Sequence, residues 1–120
     1  MITGGALPFV WDNKAPSRIV VMPKTGSSKD MKWFDIDPAF VFHVRNAFEH
    51  GDDCILDLAR YYHLRFKDSS DFDHPARLSR YTLGIKSGSA SMQQIAPQRT
   101  EFPQINRNFC GRGYRYGYSL

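Results

Sequence analysis

Cysteine is nearly absent: Cys54 and Cys110 are the only two in 120 residues, far apart and without CxxC spacing. That excludes a disulfide framework or a zinc finger and predicts reduced, partly buried thiols. Long apolar runs are absent as well. No stretch approaches the roughly 20 residues needed to cross a bilayer as a helix. The start, Met1 to Pro8, lacks the basic region and extended apolar stretch of a secretory leader, so a soluble cytoplasmic protein is the expectation. A strong imbalance of charge is absent. The net charge is +4, and the excess collects late, where Arg99, Arg107, Arg112 and Arg115 outnumber Glu101. That surplus is too diffuse to require a nucleic acid.

Apolar residues make up 42% of the chain, the proportion of a small globular domain rather than a disordered segment. Short runs of branched and aromatic residues recur between Gly, Pro, Asp and Ser punctuation, which reads as an all-β chain. The expected strands are Arg18 to Met22, Lys32 to Asp37, Phe40 to Glu49, Cys54 to Tyr62, Leu78 to Ile85, Ser91 to Ala96 and Gly113 to Tyr118. Pro23 to Ser28 reads as a turn, His50-Gly51-Asp52-Asp53 as a tight hairpin, and Asp68 to Pro75 and Lys86 to Ser89 as surface loops. Hairpin-sized connections favour a meander, the unit from which a propeller blade is made.

His43, in Phe42-His43-Val44-Arg45-Asn46-Ala47-Phe48-Glu49, is the foremost candidate for chemistry. In an unbroken strand it shares one face with Val41, Arg45, Ala47 and Glu49, with Phe40, Phe42 and Val44 on the other. A rigid, neutral imidazole in that setting suits Fe, Cu or Zn. A hydrogen-bonded core histidine satisfies the same pattern. Arg45 and Glu49 are weaker candidates on the same face. Glu101, in Glu101-Phe102-Pro103-Gln104-Ile105-Asn106, reads either as an edge carboxylate or as a buried acceptor for the N–H of a ligating imidazole.

His50, His63 and His74 read as surface residues. Asp71, Asp73 and His74 cluster in a loop, where acids are usually solvated. Tyr114, Tyr116 and Tyr118 alternate with Arg115, which suits a base-stacking platform and a half-buried strand equally. Two features suggest a fragment. Tyr116 to Leu120 ends inside an apparent strand, and three side-chain ligands for one metal cannot be assembled.

The segments Phe42 to Glu49, Asp57-Leu58-Ala59-Arg60-Tyr61, Arg80-Tyr81-Thr82-Leu83, Glu101 to Asn106 and Gly111 to Tyr118 resemble, in order, those of the carotenoid cleavage oxygenases. The FH-x-x-NA-[FY]-E and EFPxI elements are specific together. The resemblance implies an all-β fragment, about a quarter of a seven-bladed β-propeller, spanning 1–120. It implies Fe(II) held by four histidines, with His43 the third in chain order and Glu101 an outer carboxylate on a ligand histidine.

The implied reaction is cleavage by O2 of a carbon-carbon double bond in an apolar polyene or stilbene, giving two carbonyl products. No nucleic-acid partner is implied, and a peripheral membrane contact would belong to the full-length parent. Many family members carry another Glu shortly before the strand matching Leu78 to Leu83. Here Pro75-Ala76-Arg77-Leu78-Ser79-Arg80 has no acid, which leans toward the bacterial lignostilbene-like or apocarotenoid branch. Two rival readings are a catalytically inactive partial propeller and a small basic β-domain that binds RNA or an acidic protein.

Overall fold

A computed structural model describes residues 10–64 and 74–120. Among the described residues eight strands follow in order: β1 (Ser17–Val21), β2 (Lys32–Ile36), β3 (Phe40–His50), β4 (Asp53–Tyr61), β5 (Arg77–Gly84), β6 (Ala90–Arg99), β7 (Gln104–Ile105) and β8 (Gly117–Tyr118). β3-β4-β5-β6 form one four-stranded antiparallel meander, while β1-β2 and β7-β8 form separate two-stranded sheets. The β1–β2 connection closes with a short 3-10 turn at Ser28–Asp30, where Ser27 and Asp30 cap each other reciprocally. Gly51 takes a φ of +61° in the β3–β4 hairpin, a conformation that glycine adopts without strain.

Three expectations change. β6 runs to Arg99 instead of stopping at Ala96. Gly113 to Tyr118 is strand only at its last two residues, because Tyr114 turns inward to hydrogen-bond a buried acid instead of alternating along a sheet edge. The EFPxI element contributes β7, a short strand that composition did not suggest.

The central strands β4 and β5 are covered on both faces. One face carries Leu56, Leu58, Tyr81 and Leu83, and the β1–β2 hairpin lies on it, driving Phe34 to 2% exposure in a cluster with Leu58, Tyr81 and Leu83. Ile19, Val21, Ile36 and Val41 fill in around that cluster. Burying a side chain such as Phe34 contributes about 1.5–3 kcal/mol. The other face carries Asp57 and Arg80, directly opposed in the β4–β5 register. Residues 101–120 lie over it.

The strand that bears His43 is not unbroken. From Val41 to Asn46 β3 advances five residues while β4 advances only three, from Arg60 to Asp57, so two extra residues bulge between them. A bulge bends its strand and re-aims side chains. Strict alternation would send His43 and Asn46 to opposite faces. Instead His43, Arg45 and Asn46 all reach the 101–120 segment.

Candidate functional site

Asn46 anchors that segment. Its side chain is 5% exposed; Nδ2 donates to the carbonyls of Arg112 at 2.9 Å and Phe109 at 3.3 Å, and Oδ1 accepts from the N–H of Gly111 at 3.0 Å. One amide thus satisfies three main-chain groups in a loop that has no ladder of its own. Farther along, the backbones of Glu101 and Leu120 exchange two hydrogen bonds of 2.9 Å. Arg45 donates to Ser119 Oγ at 2.5 Å, and a Cβ at Gly117 would fall 2.7 Å from its Cζ, so glycine lets the guanidinium lie against the chain. These contacts close residues 101–120 into a clasp over β3.

The clasp delivers Glu101 to His43. Nδ1 of His43 and Oε2 of Glu101 are 2.8 Å apart, across 58 positions of sequence. An ionised carboxylate accepts only, so Nδ1 is the donor, and in the neutral tautomer Nε2 keeps its lone pair. Among the described residues Nε2 makes no hydrogen bond. The imidazole side chain is 43% exposed and the glutamate 17%. His43 is therefore open on one side, unlike the buried imidazole that alternation predicts, because the bulges tilt it out of the sheet face.

Glu101 lies in the irregular stretch just before β7. Its carboxylate is held from within its own segment: the Phe102 N–H donates to Oε2 at 2.9 Å. That bond accompanies a φ of +48° at Phe102, the one non-glycine residue among those described with positive φ. The left-handed region is uncommon for a bulky residue and costs about 1–3 kcal/mol. A residue before proline ordinarily has an extended, negative φ, so Pro103 makes the conformation more unusual. The Phe102 ring lies 4.7 Å from the His43 ring and Phe42 lies 6.3 Å from it. Among the described residues Glu101 Oε1 is buried with no partner in hydrogen-bonding geometry. The Tyr61 phenol borders the carboxylate, and burial first, then Glu101, pushes its pKa up to about 12.

A second polar cluster lies beside this site. Asp57 is fully buried and receives two bonds of 2.7 Å from Nε and Nη2 of Arg80, and the Tyr114 hydroxyl donates to the same carboxylate. Burial, then Asp57, raises the Tyr114 pKa to about 12, and hydrogen bonding to Asp57 pushes Arg80 up.

The other candidates stand apart. Glu49 is exposed at the hairpin end opposite Cys54, whose thiol is pushed up by burial and by Glu49. Arg45 binds the clasp rather than the imidazole. Cys54 is partly buried and free, whereas Cys110 is exposed, contrary to the expected burial. His50 and His74 are exposed, while His63 is half-buried against Trp11 and His74, with ring centroids 5.4 and 5.5 Å away. Asp71 and Asp73 lie outside the described residues. Among the described residues no three His, Cys, Asp or Glu side chains converge as a metal site. The donor set present fits one metal ligand with its carboxylate partner, not a whole coordination sphere. Asn46, Tyr61 and Phe102 are the residues whose parts the sequence did not disclose.

The model of the retinal pigment epithelial membrane protein family, RPE65, matches residues 1–120, and the chain belongs to this family, which includes the carotenoid cleavage oxygenases. A carotenoid cleavage oxygenase of Mycobacterium tuberculosis is 31% identical over 120 residues, covering 95% of this chain and 24% of that protein. Apocarotenoid-15,15'-oxygenase of Synechocystis is 32% identical over 111 residues, 86% of this chain and 22% of that one. Cobalt-substituted Synechocystis ACO superposes with a TM-score of 0.80 at 30% identity, over 92% of this chain and 24% of that one. An ACO/RPE65 chimera gives 0.81 at 31% identity, over 90% and 24%. The chain thus spans about a quarter of the length of these relatives, and its fold is that of an all-β propeller fragment.

Proposed function

We propose that these residues form part of the propeller of a non-haem Fe(II) dioxygenase that cleaves a carbon-carbon double bond of a carotenoid, apocarotenoid or lignostilbene-type substrate. The observation that carries this reading is the 2.8 Å contact between His43 Nδ1 and Glu101 Oε2, which leaves Nε2 as a lone-pair donor. The family membership supplies the reaction class. Iron would be held by Nε2 of His43 and by ligands from residues other than those described. When bound, it supplies the activation of O2 that no side chain here can provide, both oxygen atoms ending in the two carbonyl products.

The contribution of this chain is positional. Glu101 holds the proton on Nδ1, which fixes the tautomer and ring plane of His43 and raises its basicity. The Phe102 N–H and the backbone pair with Leu120 hold Glu101 in turn. The half-exposed rings of Phe42 and Phe102 flank the imidazole, giving the open side of the site an apolar rim suited to an alkene and unfavourable to water.

The test is to express the full-length polypeptide that carries these residues, measure iron per chain, and assay polyene and stilbene cleavage under O2. About one iron per chain and two carbonyl products are expected, with both lost in His43→Ala. Full iron occupancy and unchanged cleavage in that variant would sink the proposal.

A further inference from the structure

The blade face opposite His43 contains a polar cavity of about 170 Å³ between the end of β2 and the start of β6, with Asp35, Asp37, Arg60, Tyr81 and Ser91 in its lining. Arg60 is 3% exposed. Its Nη2 donates to the Pro38 carbonyl at 3.2 Å and its guanidinium lies 4.0 Å from the centre of the Tyr62 ring. Among the described residues Nε and Nη1 are buried with no acceptor in hydrogen-bonding geometry, and the hydroxyl of Tyr81, 2% exposed, likewise has no partner in such geometry, although Arg60 lies close enough to act on it. Burial pushes the Tyr81 pKa up, which keeps the phenol protonated.

Three donors and a positive charge therefore meet at one polar space. The two acids of the lining are exposed at its rim, and Asp35 is already paired with Arg18 at 3.2 Å. A buried guanidinium without a counter-charge is strongly unfavourable, and the exposed carboxylate of Asp37, near enough to act on Tyr81 but screened by solvent, compensates it only in part. Water brings a donor with every acceptor and no charge. An anion brings acceptors and the missing charge together, through bonds about twice as strong as neutral ones. The cavity is smaller than the roughly 300 Å³ at which drug-sized sites begin. The rim acids would repel a doubly charged ligand.

We propose that this cavity is a binding site for a small monovalent anion, a halide or a simple carboxylate such as formate, seated between Nε and Nη1 of Arg60 and the hydroxyl of Tyr81. The site lies on the other face of the sheet from His43, so it stands independently of the iron reading.

The experiment uses the full-length protein. Sodium formate and sodium chloride are titrated separately against sodium gluconate, a bulkier reference anion, at constant ionic strength, and the thermal unfolding midpoint is followed. A saturable rise of roughly 2–4 °C with formate or chloride, but not gluconate, is expected. Tyr81→Phe should raise the apparent Kd several-fold, and Arg60→Met should abolish the response. If Arg60→Met fails to fold, Tyr81→Phe still decides. Equal responses to the small anions and gluconate, or an unaltered Kd in Tyr81→Phe, would overturn the proposal. Crystals grown with bromide should show an anomalous peak between Arg60 and Tyr81; water alone, or a side chain from elsewhere in the polypeptide, would overturn it too.

Discussion

Asp57 and Arg80 face each other across β4 and β5 in a two-pronged ion pair, both contacts at 2.7 Å, with the aspartate fully buried and the arginine side chain 35% exposed. The unequal burial sets an order of sensitivity. Arg80→Met leaves a carboxylate inside the sheet with only Tyr114 for company, at a cost of about 3–5 kcal/mol. Asp57→Asn leaves a guanidinium that water can reach, and should cost roughly half as much. Chemical denaturation of the two variants gives the ranking; a larger loss in Asp57→Asn would contradict it.

Alkali should weaken the fold in a defined interval. Tyr61 and Tyr114 each have a folded pKa raised from 10.0 to about 12, burial being the first cause in both. Above pH 10 the unfolded phenols release protons that the folded ones retain, so the folded state binds more protons and stability falls as pH rises. The stabilisation is complete below pH 10 and gone above about pH 12. Thermal unfolding followed across this interval should show the decline, and Tyr114→Phe should make it shallower.

Phe102 offers a test of stored backbone strain. At a φ of +48° alanine keeps the penalty and loses the ring, whereas glycine loses both. Phe102→Gly should therefore be more stable than Phe102→Ala by about 1 kcal/mol, the reverse of their usual order in regular structure. Equal stability of the two, measured by urea unfolding, would mean that the left-handed turn is unstrained.

Removing the charge on Glu101 tests the site directly. Glu101→Gln keeps an acceptor near His43 Nδ1 but no longer polarises the ring. Iron affinity of the full-length protein, measured by competition with a chelator, should fall roughly ten- to hundredfold. Unchanged affinity would make Glu101 a bystander.

Asn46→Ala should loosen the clasp, since two carbonyls and one N–H lose their partner together. A loss of roughly 2–3 kcal/mol is expected, with faster cleavage by trypsin after Arg112. Trypsin sensitivity equal to the parent would show that the clasp is held elsewhere.

Much of the strand order was legible because strand runs such as Val20-Val21 and Leu56 to Ala59 are bounded by strong turn signals, and Gly51 marks its hairpin. The register of β3 was not. Counting outward from the His50–Asp53 pair sets Phe40 opposite His63, whereas the two extra residues set it opposite Tyr61. No composition rule marks a bulge among Phe42, His43 and Val44, so the exposure of His43 and the place of Tyr61 beside Glu101 were hidden. The encounter of His43 with Glu101 spans 58 positions, beyond any local pattern, and only the family resemblance pointed to it. Phe102 misleads outright, because an aromatic residue before proline reads as extended.

The irregular stretch of β3 makes this strand sensitive to chain length in a way that its composition conceals. Exchanging Val44 for another branched residue leaves the count between Val41 and Asn46 intact. Deleting two residues there restores the regular register, rotates the imidazole away from its carboxylate and swings Asn46 off the loop it tethers. At this point the gene is written in spacing more than in letters.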